Sequence, residues 1–329
     1  MKYDFLAIGD VVTDEFIRIQ PESARTNDGA HPQLCFNYGS KIPFEMAYNI
    51  PAVGNSANAA VAASRLGISS ALISNIGDDH DGGLIIERLK KEEVGVEYVF
   101  VNKNKVSNRH YVLWYKDDRT ILIKHESYAY HMPALEPPRW IYFSSVGEWY
   151  LRFHEDVAEY VRQHNVKLVF QPGTYQIKLG AQKLKNIYAH TEFFVCNREE
   201  AQAILETDIN DIGMLAHRIH LLGPRIVSIS DGVHGSYASD GKTLWFMPNY
   251  PDPKPPFERT GAGDAFSATF AVALAYGLSV PDALRWAPIN SMSVVQYVGA
   301  QEGLLRRSQI EQFLANAPAD YKPKAIATF

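Results

Sequence analysis

The chain has 329 residues, enough for one large domain or a core with a smaller appendage. Apolar residues at 46% and charged residues at 21% are the balance of an ordinary globular protein. A formal net charge of -5 excludes a broad electrostatic grip on nucleic acid, so an anionic ligand needs local devices: helix N-termini, a metal ion or single arginines.

In chain order, Phe5-Leu6-Ala7-Ile8-Gly9 predicts a buried strand, and Met1 to Asp10 reads as that strand and not as a signal peptide. Val11 to Ile50 carries no helix pattern. Asn55 to Leu66 predicts a small-residue helix closed by Gly67. Ala71-Leu72-Ile73 predicts a second strand, and Gly83 to Val94 an amphipathic helix stopped by Gly95. Tyr98 to Lys124 alternates apolar and polar residues, with a hairpin turn expected at Asp117-Asp118. Strands follow at Leu168-Val169-Phe170, Phe193-Phe194-Val195 and Ile226-Val227-Ser228-Ile229, separated by helical pattern.

This alternation predicts an α/β fold: a three-layer α/β/α core with a mainly parallel sheet, over residues 1–10, 51–97 and 128–329. Residues 11–50 and 98–127 are expected to form a small β-sheet projecting from it. Such a sheet is either a lid over the edge where ligands bind or a dimerisation surface, and one sheet can serve both purposes. No apolar run is long enough to span a bilayer, and Cys35 and Cys196 show no metal-ligand spacing, so a reduced cytoplasmic setting is expected.

Thr260-Gly261-Ala262-Gly263-Asp264-Ala265-Phe266 opens an apolar helix pattern ending near Gly277. Glycines beside a helix start leave backbone N–H groups unpaired and uncovered, and the helix dipole adds positive charge, so the position suits a phosphate. Asp264 has two readings there: an acid that stabilises a first helical turn, or a base that takes a proton from an attacking hydroxyl. Asn197-Arg198-Glu199-Glu200 after a strand reads as an N-cap with its capping box. Asp231-Gly232-Val233-His234-Gly235, after the strand ending at Ser230, reads as a glycine turn. Neither a Gly-x-x-x-x-Gly-Lys-Ser/Thr loop nor a His-Arg-Asp kinase loop is present.

Two motifs, in this order and with the lid pattern between them, resemble the ribokinase-like carbohydrate kinases, also called the PfkB family. The first is Gly54-Asn55-Ser56-Ala57-Asn58, followed by Arg65-Leu66-Gly67 and Gly77-Asp78-Asp79; the second is Thr260-Gly261-Ala262-Gly263-Asp264. The resemblance runs from Gly9 to about Gln301. It implies a ribokinase-like fold and ATP-dependent phosphorylation of a hydroxyl on a sugar, with a nucleoside as the alternative acceptor. A non-catalytic ligand-binding relative is a further alternative, against which the intact Asp264 and its glycines count.

By this resemblance Asp264 is the catalytic base, and Gly261, Ala262 and Gly263 form the anion hole for the transferring phosphoryl. Asn197, Ser230, Gly232, Gly235 and Thr260 fall toward ATP, and Glu200 toward Mg²⁺ through water; capping or turn formation remains the other reading of Asn197, Glu200 and the glycines. Asn290 resembles the segment lining the adenine pocket, or is a surface asparagine. For the acceptor, Asp14 would bind substrate hydroxyls or stay solvated. Gly54, Asn55 and Asn58 form the site's floor, and Glu148 reaches the acceptor or caps a helix. The lid aromatics His110, Tyr111, Trp114 and Tyr115 either pack the lid itself or wall the ligand.

Three positions depart from the family pattern. Val53 stands where a glycine is common. Glu258-Arg259 replaces an Asp-Thr whose surroundings hold K⁺ in several relatives, which leaves K⁺ open; Arg259 is a phosphate contact or a solvated arginine. Gln171-Pro172-Gly173 replaces an acidic loop start. The expected partners are a small-molecule acceptor and ATP, with no nucleic acid and no membrane, and a homodimer through the lid.

Overall fold

The computed structural model describes residues 3–27, 33–116, 118–147 and 150–328. Its first strand, β1 (Phe5–Ile8), is buried on both faces: Phe5 and Ala7 enter one apolar cluster, Leu6 and Ile8 another. The chain then leaves the core as β2 (Val12–Ile19), the short pair β3 (Arg25–Thr26) and β4 (Leu34–Cys35), and the long β5 (Phe44–Val53). It returns as α1 (Asn55–Arg65), β6 (Ser70–Gly77), α2 (His80–Lys91) and β7 (Val99–Asn102). A second excursion, β8 (Asn108–Tyr115) and β9 (Asp118–Lys124), precedes β10 (Trp140–Phe143), α3 (Leu151–His164), β11 (Lys167–Phe170), α4 (Thr174–Leu179), α5 (Lys185–Ala189) and β12 (Thr191–Asn197). The remainder is α6 (Arg198–Ile204), α7 (Ile212–His220), β13 (Ile226–Ser230), β14 (Ser236–Ser239), β15 (Thr243–Met247), α8 (Ala262–Ala275), α9 (Val280–Val294), α10 (Arg307–Ala315) and β16 (Lys324–Thr328).

Ten strands form the central sheet in the order β16-β15-β14-β13-β12-β11-β10-β1-β6-β7. From β13 to β7 every pairing is parallel, and β14 to β16 close one edge antiparallel. One apolar cluster packs α1, α2, α8, α9 and α10 on the sheet, and the other packs α3, α5, α6 and α7 on the opposite face. The connections run away from β1 in one direction and from β10 in the other. A crevice therefore opens between the carboxyl ends of these strands, at Gly9-Asp10 and Ser144-Ser145.

Two helices meet beneath this crevice. The sequence of α1, Asn-Ser-Ala-Asn-Ala-Ala-Val-Ala-Ala-Ser-Arg, is small enough for its backbone to lie close to α8, which is alanine-rich as well. Ser56 Oγ also donates to the Ile8 carbonyl at 2.6 Å, tying α1 to β1. Gly54 precedes the helix at φ +107, and a Cβ there would lie 2.8 Å from the Asp10 carbonyl oxygen.

The second sheet has the order β5-β2-β8-β9 and is the small separate sheet expected from the sequence. Two boundaries differ from the sequence expectation. β7 pairs with β6 and belongs to the central sheet, although it falls in the span assigned to the lid. β5 runs on to Val53, where it still pairs with Val12. The helix expected from Gly83 begins earlier, at His80, because the Asp79 side chain caps it by accepting from Gly82 N at 3.0 Å. Gly82 is small for packing: a Cβ would approach the Gly77 carbonyl oxygen to 2.3 Å. Asp117, at the expected hairpin turn, lies outside the described residues, but β8 and β9 pair as that hairpin requires.

Candidate active site

Gly261 caps α8 in the left-handed region at φ +83, and a Cβ on it would meet Ala300 at 2.4 Å. The first side-chain carboxylate of the helix is Asp264. Three amides point at it: Asn55 Nδ2 donates to Oδ1 at 2.8 Å, Asn58 Nδ2 to Oδ2 at 2.7 Å, and Gln171 Nε2 to Oδ1 at 3.1 Å. Two of these amides come from the first turns of α1 and one from the end of β11. Burial pushes the Asp264 carboxyl above its ordinary range, and the three donors, which favour the charged form, pull against it. A carboxylate so held can accept a proton without moving.

The amide orientations follow from their other partners. The buried Tyr142 hydroxyl donates to Gln171 Oε1, which turns Gln171 Nε2 toward Asp264. Gln301 Nε2 donates to Asn58 Oδ1 at 3.0 Å and to the Ala52 carbonyl at 2.6 Å, which fixes Asn58 in the same way. Asn58, expected on the floor of the acceptor site, instead has both ends of its amide taken, by Asp264 and by Gln301. Sequence reasoning noted Gln171 only as a departure from the family pattern, without a role, and missed Gln301. A polar side chain at the exit of the apolar strand β11 was the available signal for Gln171.

A cavity of about 200 Å³ lies over the helix start, lined by Gly261, Gly263, Asp264, Asn197, Glu200 and Ser230 among others. A Cβ on Gly263 would meet nothing within 4 Å, so the space above this turn is open. Asn197 and Glu200 form the reciprocal capping box: Glu200 N donates to Asn197 Oδ1 at 2.8 Å, and Asn197 N to Glu200 Oε2 at 2.9 Å. Burial raises the Glu200 carboxyl above its usual range, and the neighbouring Asp264 charge adds to that. Among the described residues no group of three or more His, Cys, Asp or Glu side chains is arranged to hold a metal ion alone. A cation at Glu200 would therefore need further oxygens from a ligand or water.

Beside this lies a cavity of about 290 Å³, lined by Gly232, Tyr250, Arg259, Ala262, Pro288 and Met292 among others. Gly232 thus sits at a cavity, whereas Gly235 shapes its turn: a Cβ there would lie 2.6 Å from the Met247 carbonyl oxygen. Asn290 is corrected too. It is wholly buried, its Nδ2 donating to Thr269 Oγ1 and its Oδ1 accepting from Leu305 N, while Ser291 and Met292 of the same helix reach the cavity. Thr260 directs both N–H and Oγ1 to Glu258 Oε1, at 2.8 and 2.6 Å.

A third cavity, about 310 Å³, opens under the lid and is lined by Gly54, Asn55, Asp10, His110, His125 and Tyr175 among others. Asn55, Gln171 and Glu200 border both this space and the one over α8, so the two adjoin, with Asp264 lining the latter. Asp14 is buried next to His110, with Nδ1 of the ring 3.4 Å from its Oδ1. Glu148 lies outside the described residues. Of the lid aromatics, Trp114 packs edge-on against Phe257 at 5.2 Å beneath the Arg18 guanidinium, Tyr115 bonds the carbonyls of Pro21 and Ala24, and Tyr111 is exposed. Only His110 of the four lines the cavity. No helix among the described residues is long and apolar enough to cross a membrane.

The model of the pfkB family carbohydrate kinases matches residues 45–307. Ribokinase of Bacillus subtilis is 32% identical over 270 residues, covering 80% of this chain and 87% of that protein. In structure the chain resembles ribokinase of Arabidopsis thaliana complexed with ribose and ATP, at TM-score 0.78 and 20% identity, over 95% of this chain and 99% of that one. It also resembles the nucleoside kinase of Methanocaldococcus jannaschii, at TM-score 0.76 and 17% identity, over 96% and 99%. At such identities these structural likenesses speak for the fold.

Proposed function

The chain belongs to the pfkB family of carbohydrate kinases, and from that premise we propose that it phosphorylates a sugar hydroxyl with Asp264 as general base. The family makes it a phosphotransferase acting on an alcohol group of a sugar or nucleoside, with ATP as the phosphoryl donor. The observation that carries the reading is the carboxylate of Asp264, held by three amides where the acceptor cavity meets the open turn of α8.

The acceptor hydroxyl enters from the lid side and gives its proton to Asp264 as its oxygen attacks the γ-phosphorus of ATP. The bond from that phosphorus to the β-bridging oxygen breaks, and ADP leaves. The N–H groups at the start of α8, around Ala262 and Gly263, face the oxygens on which charge builds. The nucleotide lies along Gly232 and Ala262, in the cavity that Met292 and Pro288 make apolar. Mg²⁺ would supply charge neutralisation to the phosphates, and Glu200 would be the acid that holds it through water. A nucleoside acceptor is the second reading, favoured by the room beneath the lid.

Phe44 and Met46 on β5 and Ile121 and Leu122 on the edge strand β9 are exposed apolar surface, which supports a homodimer through the lid. The test of function is ADP release from Mg-ATP across pentoses, hexoses, sugar acids, sugar phosphates and nucleosides, with Asp264→Asn alongside. Turnover of one class that vanishes in the variant supports the reading. ATP binding with no acceptor turned over by the wild type counts against it.

A further inference from the structure

Four titratable side chains form a chain at the acceptor cavity: Asp10, His110 and His125 line it, and Asp14 is buried behind His110. His125 Nδ1 lies 2.5 Å from Asp10 Oδ2. His125 Nε2 lies 3.4 Å from His110 Nε2, and His110 Nδ1 3.4 Å from Asp14 Oδ1. Asp10 comes from the exit of β1 and Asp14 from β2, while the rings come from β8 and the end of the lid hairpin. Both carboxylates are buried; Asp10 Oδ1 has no hydrogen-bond partner, and Asp14 Oδ1 has only the 3.4 Å approach of His110 Nδ1. An unpartnered buried acceptor of this kind calls for a donor from a ligand.

We propose that His110 and His125 position Asp10 and Asp14 through one shared proton, and that the net negative charge this chain leaves at the cavity selects an uncharged polyhydroxylated acceptor over an acid or a phosphate. This rests on the kinase reading above and adds to it the class of acceptor and a positioning device.

Proton counting fixes the state of the chain. Asp10 takes the Nδ1 proton of His125, and Asp14 that of His110. The facing Nε2 atoms have room for one proton between them. All contacts are made when the two rings share three protons, one ring neutral and the other an imidazolium. With a fourth proton N–H faces N–H and the rings part. With only two, one contact sets a lone pair against a lone pair or a carboxylate. Burial raises the Asp10 carboxyl, and the rings of His125 and then His110, with the Gly147 N–H, draw it back. The assembled chain carries one net negative charge, and Glu200 and Asp264 stand beyond it. A carboxylate or phosphate on the acceptor would meet like charge. The one lysine lining this cavity, Lys178, is exposed, and Tyr175 beside it packs edge-on against His125 at 5.6 Å.

The experiment compares D-ribose, D-fructose and inosine with D-gluconate and fructose 6-phosphate, at saturating Mg-ATP across pH 5 to 9. A neutral acceptor is expected to win in kcat/KM by about a hundredfold or more, since like charges brought together cost several kcal/mol. Its KM should be lowest in a window of pH and rise on both sides, while the KM for ATP stays flat. His110→Gln and His125→Gln should raise that KM about tenfold, with kcat nearly unchanged, and abolish the window. Preference for an acid or phosphate acceptor overturns the class, and a KM flat in pH overturns the shared proton. Ring ¹⁵N NMR of the wild type reads the device without turnover. One coupled deprotonation, with His125 held as the Nδ1–H form, supports it; two independent titrations overturn it. If no acceptor is turned over, the kinase reading falls and takes the acceptor class with it, whatever the NMR shows.

Discussion

The two ends of the cleft are built by different means. At the end we assign to phosphate, consecutive residues from Thr260 to Asp264 supply backbone N–H groups, a left-handed glycine and a carboxylate. At the acceptor end, side chains converge from β1, β2, α1, β8 and the segments after β9 and β11. One hydrogen bond that joins the ends, Asn55 to Asp264, spans 209 positions in sequence. A phosphate is the same in every nucleotide, so a fixed turn of backbone can bind it. An acceptor varies, so its site is made of side chains on separate elements that can change singly.

The largest expected effect falls where the ends meet. Asp264→Asn should lower kcat by about 10² to 10⁴-fold, with ATP affinity kept, as measured by steady-state kinetics and nucleotide titration. Near wild-type turnover would detach the base from the shared corner and leave two unrelated cavities. Next come the glycines, which separate conformation from space. Gly261→Ala puts a Cβ 2.4 Å from Ala300 at φ +83, so it should cost about 1–3 kcal/mol of stability and displace the anion hole. Gly263→Ala meets no atom within 4 Å and sits in the first turn of a helix, so Tm should hold or rise. Its methyl is nevertheless added to the lining of the cavity we assign to phosphate, and kcat/KM for ATP should fall about 10²-fold. A Gly263→Ala enzyme with normal ATP kinetics would show that the phosphate lies elsewhere.

Gln171→Ala is expected to act more weakly and through pH. Asp264 already has a raised carboxyl, so activity requires a pH above that value and falls as pH is lowered through it. The Gln171 amide favours the charged form, so removing it raises the pKa further. The acid limb of the kcat profile should move to higher pH, with a loss of about tenfold at neutral pH. A limb that stays in place would mean Asn55 and Asn58 hold the base without help.

The same contrast explains what the sequence made legible. The α/β alternation, the lid and the glycine turn before Asp264 could be read because each is written in contiguous residues with its own periodicity or turn chemistry. Asn58 was read as a floor residue because the motif fixes its place on α1 but not its amide partners, which Gln301 and Asp264 supply from distant elements. Asn290 faces Thr269 on the neighbouring helix, and no pattern in α9 marks which of its residues turn inward. His125 and Asp10 meet only once the lid hairpin has folded back on β1. Tertiary partnership of single polar side chains is what local pattern does not encode.

The smallest effect belongs to Arg119, which joins the lid to the loop ahead of the glycine turn. It lies on β9, lines the cavity over α8, and its Nε stands 3.6 Å from Oε1 of the buried Glu258. That distance is long for an ion pair, and the Arg119 side chain is 27% exposed, so the pair itself should contribute little. If Arg119 serves as a latch, Arg119→Ala should raise the KM for acceptor and ATP together, about threefold, with kcat unchanged. If it touches the transferring phosphoryl, kcat falls instead. Glu258→Gln separates the two, since it keeps an oxygen for Thr260 while removing the charge that faces Arg119. A latch makes the two substitutions non-additive in KM, because either one opens it. A phosphate contact makes them additive, and then the lid belongs to both ends of the cleft.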